Sequence, residues 1–125
     1  MKRKEFIRNE KMSRPFLAAD GATVYEIFHP RSSNIKNLSF ASGFLKVGKT
    51  ARSHYHKLSE EIYFILLGQG KVRLGTIIFN VEKNDVIYVP VGMIHGLINT
   101  HPKQPLRILA IASPPYSDDD IFFAD

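Results

Sequence analysis

From residue 22 onward, apolar and polar positions alternate mostly with a period of two, the spacing that puts every second side chain on one face of a strand. Residues 24–28 predict a short strand stopped at Pro30. Residues 38–47 predict a longer one, with Leu38, Phe40 and Phe44 on one side and Gly48 at its end. A strand over 62–67 closes at Gly68-Gln69-Gly70, a turn signal. Strands at 71–74 and 76–81 are split by Gly75, and a short buried strand at 86–89 lies between the polar turn 82–85 and Pro90-Val91-Gly92. Segments 94–98 and 106–111 complete the set. Strands that recur every 8–12 residues or so, with turn residues between them, argue for an all-β sandwich or barrel of antiparallel sheets. No segment carries a useful helical stripe, and there is no room for the crossover helices of a parallel sheet. Residues 1–13 are polar and aperiodic, and read as a flexible arm or an edge strand on a single domain covering 1–125.

The strand at 62–67 departs from simple alternation. After Glu61, both of its faces are apolar through Leu67. A strand of an ordinary sandwich shows polar groups to water on one face. Apolar residues on both faces predict that the outer face is covered, most simply by a second copy in a homodimer packed sheet to sheet.

Composition narrows the class. The chain has 125 residues, 44% of them hydrophobic and 23% charged, values that exclude disordered and low-complexity proteins. With no cysteine, disulfides, thiolate-bound metals and thiol nucleophiles are out. The longest apolar run, six residues at 62–67, is far short of the roughly 20 that span a bilayer, and no apolar stretch follows the basic N-terminus as a secretory signal requires. A cytoplasmic protein without membrane contact is expected. The net charge of +5 is spread thinly, apart from a basic start and an acidic end. Nucleic-acid binders gather Lys and Arg on one stripe. No such stripe is seen, so nucleic acid is not expected as a partner, and the charge reads as a solvated surface.

Five histidines carry the chemistry: His29, His54, His56, His95 and His101. His54 and His56 would project from one strand face. Glu61 opens the next strand, and His95 follows the Pro90-x-Gly92 turn. Three imidazoles and a carboxylate suit Mn, Fe, Co, Ni, Cu or Zn and disfavour Ca and Mg. A His-x-His pair alone is weak evidence, because paired surface histidines arise by chance. The surrounding spacing adds to it. Gly48-x5-His54-x-His56-x4-Glu61-x6-Gly68 resembles the first signature motif of the cupin superfamily position for position, and Asn84-x5-Pro90-x-Gly92-x2-His95-x3-Asn99 resembles the second. Only the leading glycine of the second motif is replaced, by Asn84, a residue that tolerates the left-handed conformation of a turn glycine.

The resemblance implies a jelly-roll barrel, or double-stranded β-helix, with a divalent transition metal (Mn, Fe, Ni, Cu or Zn) at its mouth held by His54, His56, Glu61 and His95. Glu60 competes formally with Glu61. Only Glu61 leaves six residues before Gly68, and it shares a face with Tyr63 and Ile65.

Parity then supplies pocket candidates. Tyr63 shares the face of Glu61, and Leu97 that of His95. Arg52 joins His54 and His56 if their strand starts early enough. Phe40, Ser42 and Phe44 lie on a strand that lines the pocket in such barrels, with their parity open. Arg107 either reaches a substrate anion or stands exposed at an edge. Tyr116 either folds over the mouth or docks on the barrel wall. His29 and His101, each before a proline, read as exposed, and Asp118-Asp119-Asp120 as a solvated tail or N-cap. Three functions stay open: a metalloenzyme of small-molecule metabolism (oxygenase, decarboxylase or an isomerase like the mannose-6-phosphate isomerase-like cupins), a non-catalytic ligand-binding or sensor module, and a structural barrel with an idle site.

Overall fold

The alternation resolves into eleven strands in the computed structural model, which describes residues 1–124. They are β1 (Phe16–Leu17), β2 (Thr23–Phe28), β3 (Ser39–Leu45), β4 (Thr50–Tyr55), β5 (Glu60–Leu67), β6 (Gln69–Leu74), β7 (Ile77–Glu82), β8 (Val86–Val89), β9 (His95–Asn99), β10 (Leu106–Ser113) and β11 (Phe122–Phe123). No α-helix forms among the described residues, and none of them makes a helix long and apolar enough to cross a membrane. All pairings are antiparallel. One sheet runs β1-β2-β3-β10-β5-β8 and the other β11-β4-β9-β6-β7. This is the all-β, two-sheet arrangement that the strand spacing predicts, and the jelly roll that the motif resemblance implies.

The core lies between the sheets. Ile65, Leu106, Val72 and Val89 are almost free of solvent, and Leu45, Ala51, Ile87 and Leu97 pack around them. Alternation on β10 sends Leu106, Ile108, Ala110 and Ala112 inward. Its register partners on β3 include Gly43, Ala41 and Ser39, opposite Ile108, Ala110 and Ala112. Partners directly opposite share a face. The inward side of these two strands is therefore built largely from small residues, which leaves space inside the barrel. The outer side of the same sheet is apolar. Ile62 pairs with Tyr88 and Phe64 with Val86, and Ile62, Tyr88 and Val86 are 41%, 55% and 62% exposed.

The turns explain the motif glycines. Gly48, Gly68 and Gly92 all take positive φ, and so does Asn84, at 76°. Asn84 thus adopts the conformation of the glycine it replaces, as its tolerance of the left-handed region allows.

Residues 1–13 correct an expectation. They form neither a loose arm nor an edge strand, but two single turns of 3-10 helix at Arg3–Glu5 and Glu10–Met12. The Arg8 guanidinium donates to the carbonyls of Ile27 (2.9 Å) and Ser32 (2.7 Å) and lies 4.8 Å from the Phe28 ring centre. The Glu10 carboxylate accepts from Ser42 and from Arg107, each at 2.7 Å. Polar anchors that no hydrophobic period reveals hold this segment on the outer sheet.

Gly68 gives a direct test of the packing. Its φ is +92°, and a Cβ there would sit 2.6 Å from the Pro105 carbonyl oxygen. Gly68→Ala is expected to lower unfolding stability by at least about 1–2 kcal/mol, from the left-handed backbone alone, in urea denaturation. An unchanged midpoint would refute the close approach of the 68–70 turn to β10.

Candidate metal centre

His54 and His95 face each other as register partners on β4 and β9. Glu61 comes from β5 in the opposite sheet, and His56 is the first residue after β4. The four residues are buried, and one ligand atom from each lies within 4.8 Å of all the others. They form a group that could hold a metal ion.

The backbone orients the imidazoles. His54 Nδ1 donates to the Arg52 carbonyl (2.8 Å), His56 Nδ1 to the Asp120 carbonyl (2.6 Å) and His95 Nδ1 to the Met93 carbonyl (3.0 Å). A carbonyl oxygen only accepts, so each Nδ1 carries the proton. The three Nε2 atoms are thereby turned towards Glu61. Oε1 of Glu61 lies 2.6 Å from His56 Nε2 and 3.3 Å from His95 Nε2. His95 Nε2 makes no aligned hydrogen bond and is the one buried side-chain polar atom without a partner among the described residues. An orphaned, buried lone pair aimed at a carboxylate and two further imidazoles fits a cation, and the nitrogen–oxygen donor set fits a transition metal.

Electrostatics polarise the metal-free group. Burial alone would raise the Glu61 pKa, but the His56 hydrogen bond, with His95 close by, holds it at about 2. Burial disfavours charge on His56, yet the adjacent Glu61 outweighs this and raises its pKa. Burial, then the neighbouring His95, lowers that of His54. Tyr63 is buried beside them and donates weakly to Glu61 Oε1 at 3.4 Å; burial, with Glu61 next, raises its pKa far up, so it stays a proton donor.

The group opens onto a cavity of ≈ 120 Å³. A smaller one, ≈ 40 Å³, reaches the core past Tyr63, His95 and Leu97. Tyr116 lies at the larger cavity, its ring centre 6.2 Å from that of His56. Phe40 and Phe44 border the cavities, but their register partners Ile111 and Arg107 stand on the outward face, and this strand points Ser39, Ala41 and Leu45 inward instead.

Two arginines do not join the site. The β4–β9 register shifts between Ala51 and His54, so both of these point inward although three residues apart. The irregularity breaks the parity that would have put Arg52 beside His54. Arg52 is exposed, with its guanidinium 4.0 Å from the Phe123 ring centre. Arg107 is committed to Glu10. Glu60 lies outside and accepts from Tyr88 at 3.0 Å.

Four residues at the site escaped sequence reasoning. His29 is buried rather than exposed: Nδ1 accepts from Arg31 N at 3.2 Å, and Nε2 donates to the Tyr116 carbonyl at 2.7 Å. Ser39 Oγ accepts from Tyr116 N at 2.9 Å. Asp20 lines both cavities and acts electrostatically on His54, Tyr63 and Tyr116. Asp120 is buried, not part of a solvated tail. The Asp20-Gly21 turn was a faint local signal. His29 and Asp120 had none, because what buries them lies 87 and about 64 residues away in sequence. His101 is half-buried, and its Nδ1 accepts from the N–H groups of Lys103 and Gln104 in its own loop.

Residues 44–112 match the family model of the cupin domain, and the chain belongs to that family. A protein of Methanocaldococcus jannaschii of uncharacterised function is 37% identical over 107 residues, covering 86% of this chain and 85% of its own. Among solved structures, a variant of a Streptomyces nucleoside dehydratase with uridine superposes at TM-score 0.78 with 13% identity, over 96% of this chain and 91% of the other. A predicted oxalate decarboxylase from Thermotoga maritima superposes at TM-score 0.76 with 22% identity, over 86% and 98%. At these identities the superpositions show a shared fold.

The His56–Glu61 pair sets a pH dependence for the metal-free protein. Glu61, held at about 2 against an ordinary 4.5, contributes stability that is present above 4.5 and lost as pH falls towards 2. His56, raised from 6.5, contributes stability that is full below 6.5 and lost as pH rises through its folded value. Metal-free protein should therefore be most stable between about 4.5 and 6.5 on account of this pair. The His56→Gln variant should lose that maximum in thermal melts across pH, and retention of it would refute the pairing.

Proposed function

We propose that this cupin binds one divalent transition ion (Mn, Fe, Ni, Cu or Zn) through His54, His56, Glu61 and His95, and acts as a metalloenzyme on a compact small molecule. The observation that carries the reading is the inward orientation of three Nε2 atoms around a buried carboxylate, at the floor of a cavity. When bound, the metal would supply a Lewis acid, and with Fe or Cu a redox centre, for oxygenation, decarboxylation or isomerisation. Tyr63 would then offer a hydrogen bond to a ligand oxygen beside Glu61, and Tyr116 borders the same space.

The cavity lining narrows the substrate class. It holds Asp20, Glu26 and Glu61 but no Lys or Arg among the described residues. A sugar phosphate would find no cation away from the metal, which disfavours the mannose-6-phosphate isomerase type. At roughly 10–15 Å³ per water-sized site, ≈ 120 Å³ suits a ligand of about ten heavy atoms, held to the metal by one or two oxygens and otherwise apolar.

A specific observation favours a second reading, a binding module without turnover. Several polar side chains at the cavity already have partners: Ser39 and His29 hold the Tyr116 backbone, Tyr116 bonds Asp118, and Glu26 bonds Arg31. Few are left to move protons. Turnover by the metal-loaded protein separates the two.

We also propose that a second copy covers the outer face bearing Ile62, Val86 and Tyr88, since these apolar side chains form one contiguous exposed patch on adjacent strands. Sedimentation should give twice 14.2 kDa, and Tyr88→Lys should return the mass to one chain.

Elemental analysis of untagged protein is expected to find about one equivalent of metal, the capacity of a single four-ligand site, and His56→Ala close to none. Equal metal in the two proteins would refute the site. With cobalt loaded, a compact neutral diol or hydroxyketone should perturb the visible spectrum at lower concentration than mannose 6-phosphate. The reverse order would refute the substrate class.

A further inference from the structure

We infer that Asp120, near the end of the chain, is a positioning residue for the metal centre. It sets both the orientation of His56 and the spacing between His56 and Glu61. The inference rests on the metal-binding reading above.

Residues 57–59 lie in the four-residue link between these two ligands. Their three consecutive backbone N–H groups converge on one carboxylate. Asp120 Oδ1 accepts from Lys57 N at 2.8 Å and Leu58 N at 3.1 Å, and Oδ2 accepts from Leu58 N and Ser59 N, each at 3.1 Å. Such a concave set of N–H groups is an anion nest. The anion here is a side chain of the same protein, 4% exposed. The main-chain carbonyl of the same residue accepts from His56 Nδ1 at 2.6 Å, the shortest of the three bonds that orient the imidazoles. One residue thus fixes the proton of a ligand and the shape of the link to the next ligand.

Asp120 is itself held in place. Its N–H donates to the Ser117 carbonyl at 3.0 Å, and Ser59 Oγ donates to the Pro114 carbonyl at 2.7 Å. Beyond it, β11 pairs Phe122 with Tyr55 and Phe123 with His54, and the Phe122 ring stacks on Tyr55 at 5.4 Å. The segment is anchored on both sides of Asp120, so the carboxylate cannot drift without opening the strand that carries His54.

Groups behind a ligand typically change metal affinity by about 10–100-fold when removed, because the ligand must then be ordered by the metal itself. Asp120→Asn keeps the shape but replaces one acceptor oxygen by an NH₂ that faces backbone N–H donors. The test is a cobalt titration followed by the visible spectrum of the bound ion, with thermal melts of the metal-free proteins alongside. Asp120→Asn should weaken cobalt binding by about 10–100-fold and shift the spectrum. Asp119→Asn, which removes the same charge from an exposed neighbour, should do neither. Should Asp120→Asn fail to fold, Asp120→Glu decides: it keeps the charge and displaces it by one methylene, and a lowered affinity with a shifted spectrum is expected. A variant that melts lower yet binds cobalt as tightly, with the same spectrum, would overturn the inference and make Asp120 a purely structural residue. Absence of cobalt binding by the unaltered protein would overturn the metal reading, and the inference with it.

Discussion

A carboxylate buried between two sheets is the constraint around which the mouth of this barrel is organised. An isolated buried charge costs far more than a domain's margin of stability, so Glu61 must be compensated where it stands. Residues from both sheets supply the compensation. His95 reaches it from β9 and His56 from the end of β4, while Tyr63 lies beside it on its own strand. The group therefore ties the two sheets together at one end of the barrel, where apolar contacts give way to a cavity.

That compensation is incomplete, and the incompleteness is informative. Three imidazoles surround one carboxylate, but only His56 makes an aligned bond to it. His95 Nε2 is left without a partner, and the neighbourhood of His95 works against a proton on His54. A purely structural network would be expected to close its bonds, because a half-satisfied buried network is worse than an apolar core. Three carbonyls on separate segments instead hold the Nδ1 protons, which keeps every Nε2 atom aimed at one point. The order imposed on the outer side of each ring supports the proposed binding of a metal on the inner side.

Much of this was legible in the sequence, and the limits have physical causes. The period of two and the turn glycines place eight of the eleven strands, because both reflect local backbone geometry and burial. The spacing of His54, His56, Glu61 and His95 was readable for the same reason: it spans short turns of fixed reach. Arg52 was misplaced because a register shift between Ala51 and His54 undoes the parity on which the reading depended. Arg107 and the first thirteen residues were misjudged because the Glu10 carboxylate, 97 residues from Arg107, decides where both lie. His29 and Asp120 looked like exposed polar residues. Their burial is settled by contacts between the C-terminal segment and His29 and His56, 87 and 64 residues apart in sequence, which leave no periodic trace.

The interior of the barrel connects fold to chemistry. A core filled by large side chains on every inward position would leave no chamber above the ligands, as close packing elsewhere in the protein requires. On β3 and β10 the inward places near the mouth go to Ser39, Ala41, Gly43, Ala110 and Ala112, while Leu45 and Leu106 fill the far end. The taper from large to small makes space only where the four ligand residues converge. The C-terminal segment roofs that space through Tyr116, whose backbone is clasped by His29 and Ser39. Voids of this size cost stability. A chain that spends small residues on the chamber, orients three imidazoles into its floor and holds a carboxylate there has a site shaped for a ligand. With no Lys or Arg on the walls among the described residues, the strongest handle for that ligand would be the ion that the four floor residues could hold.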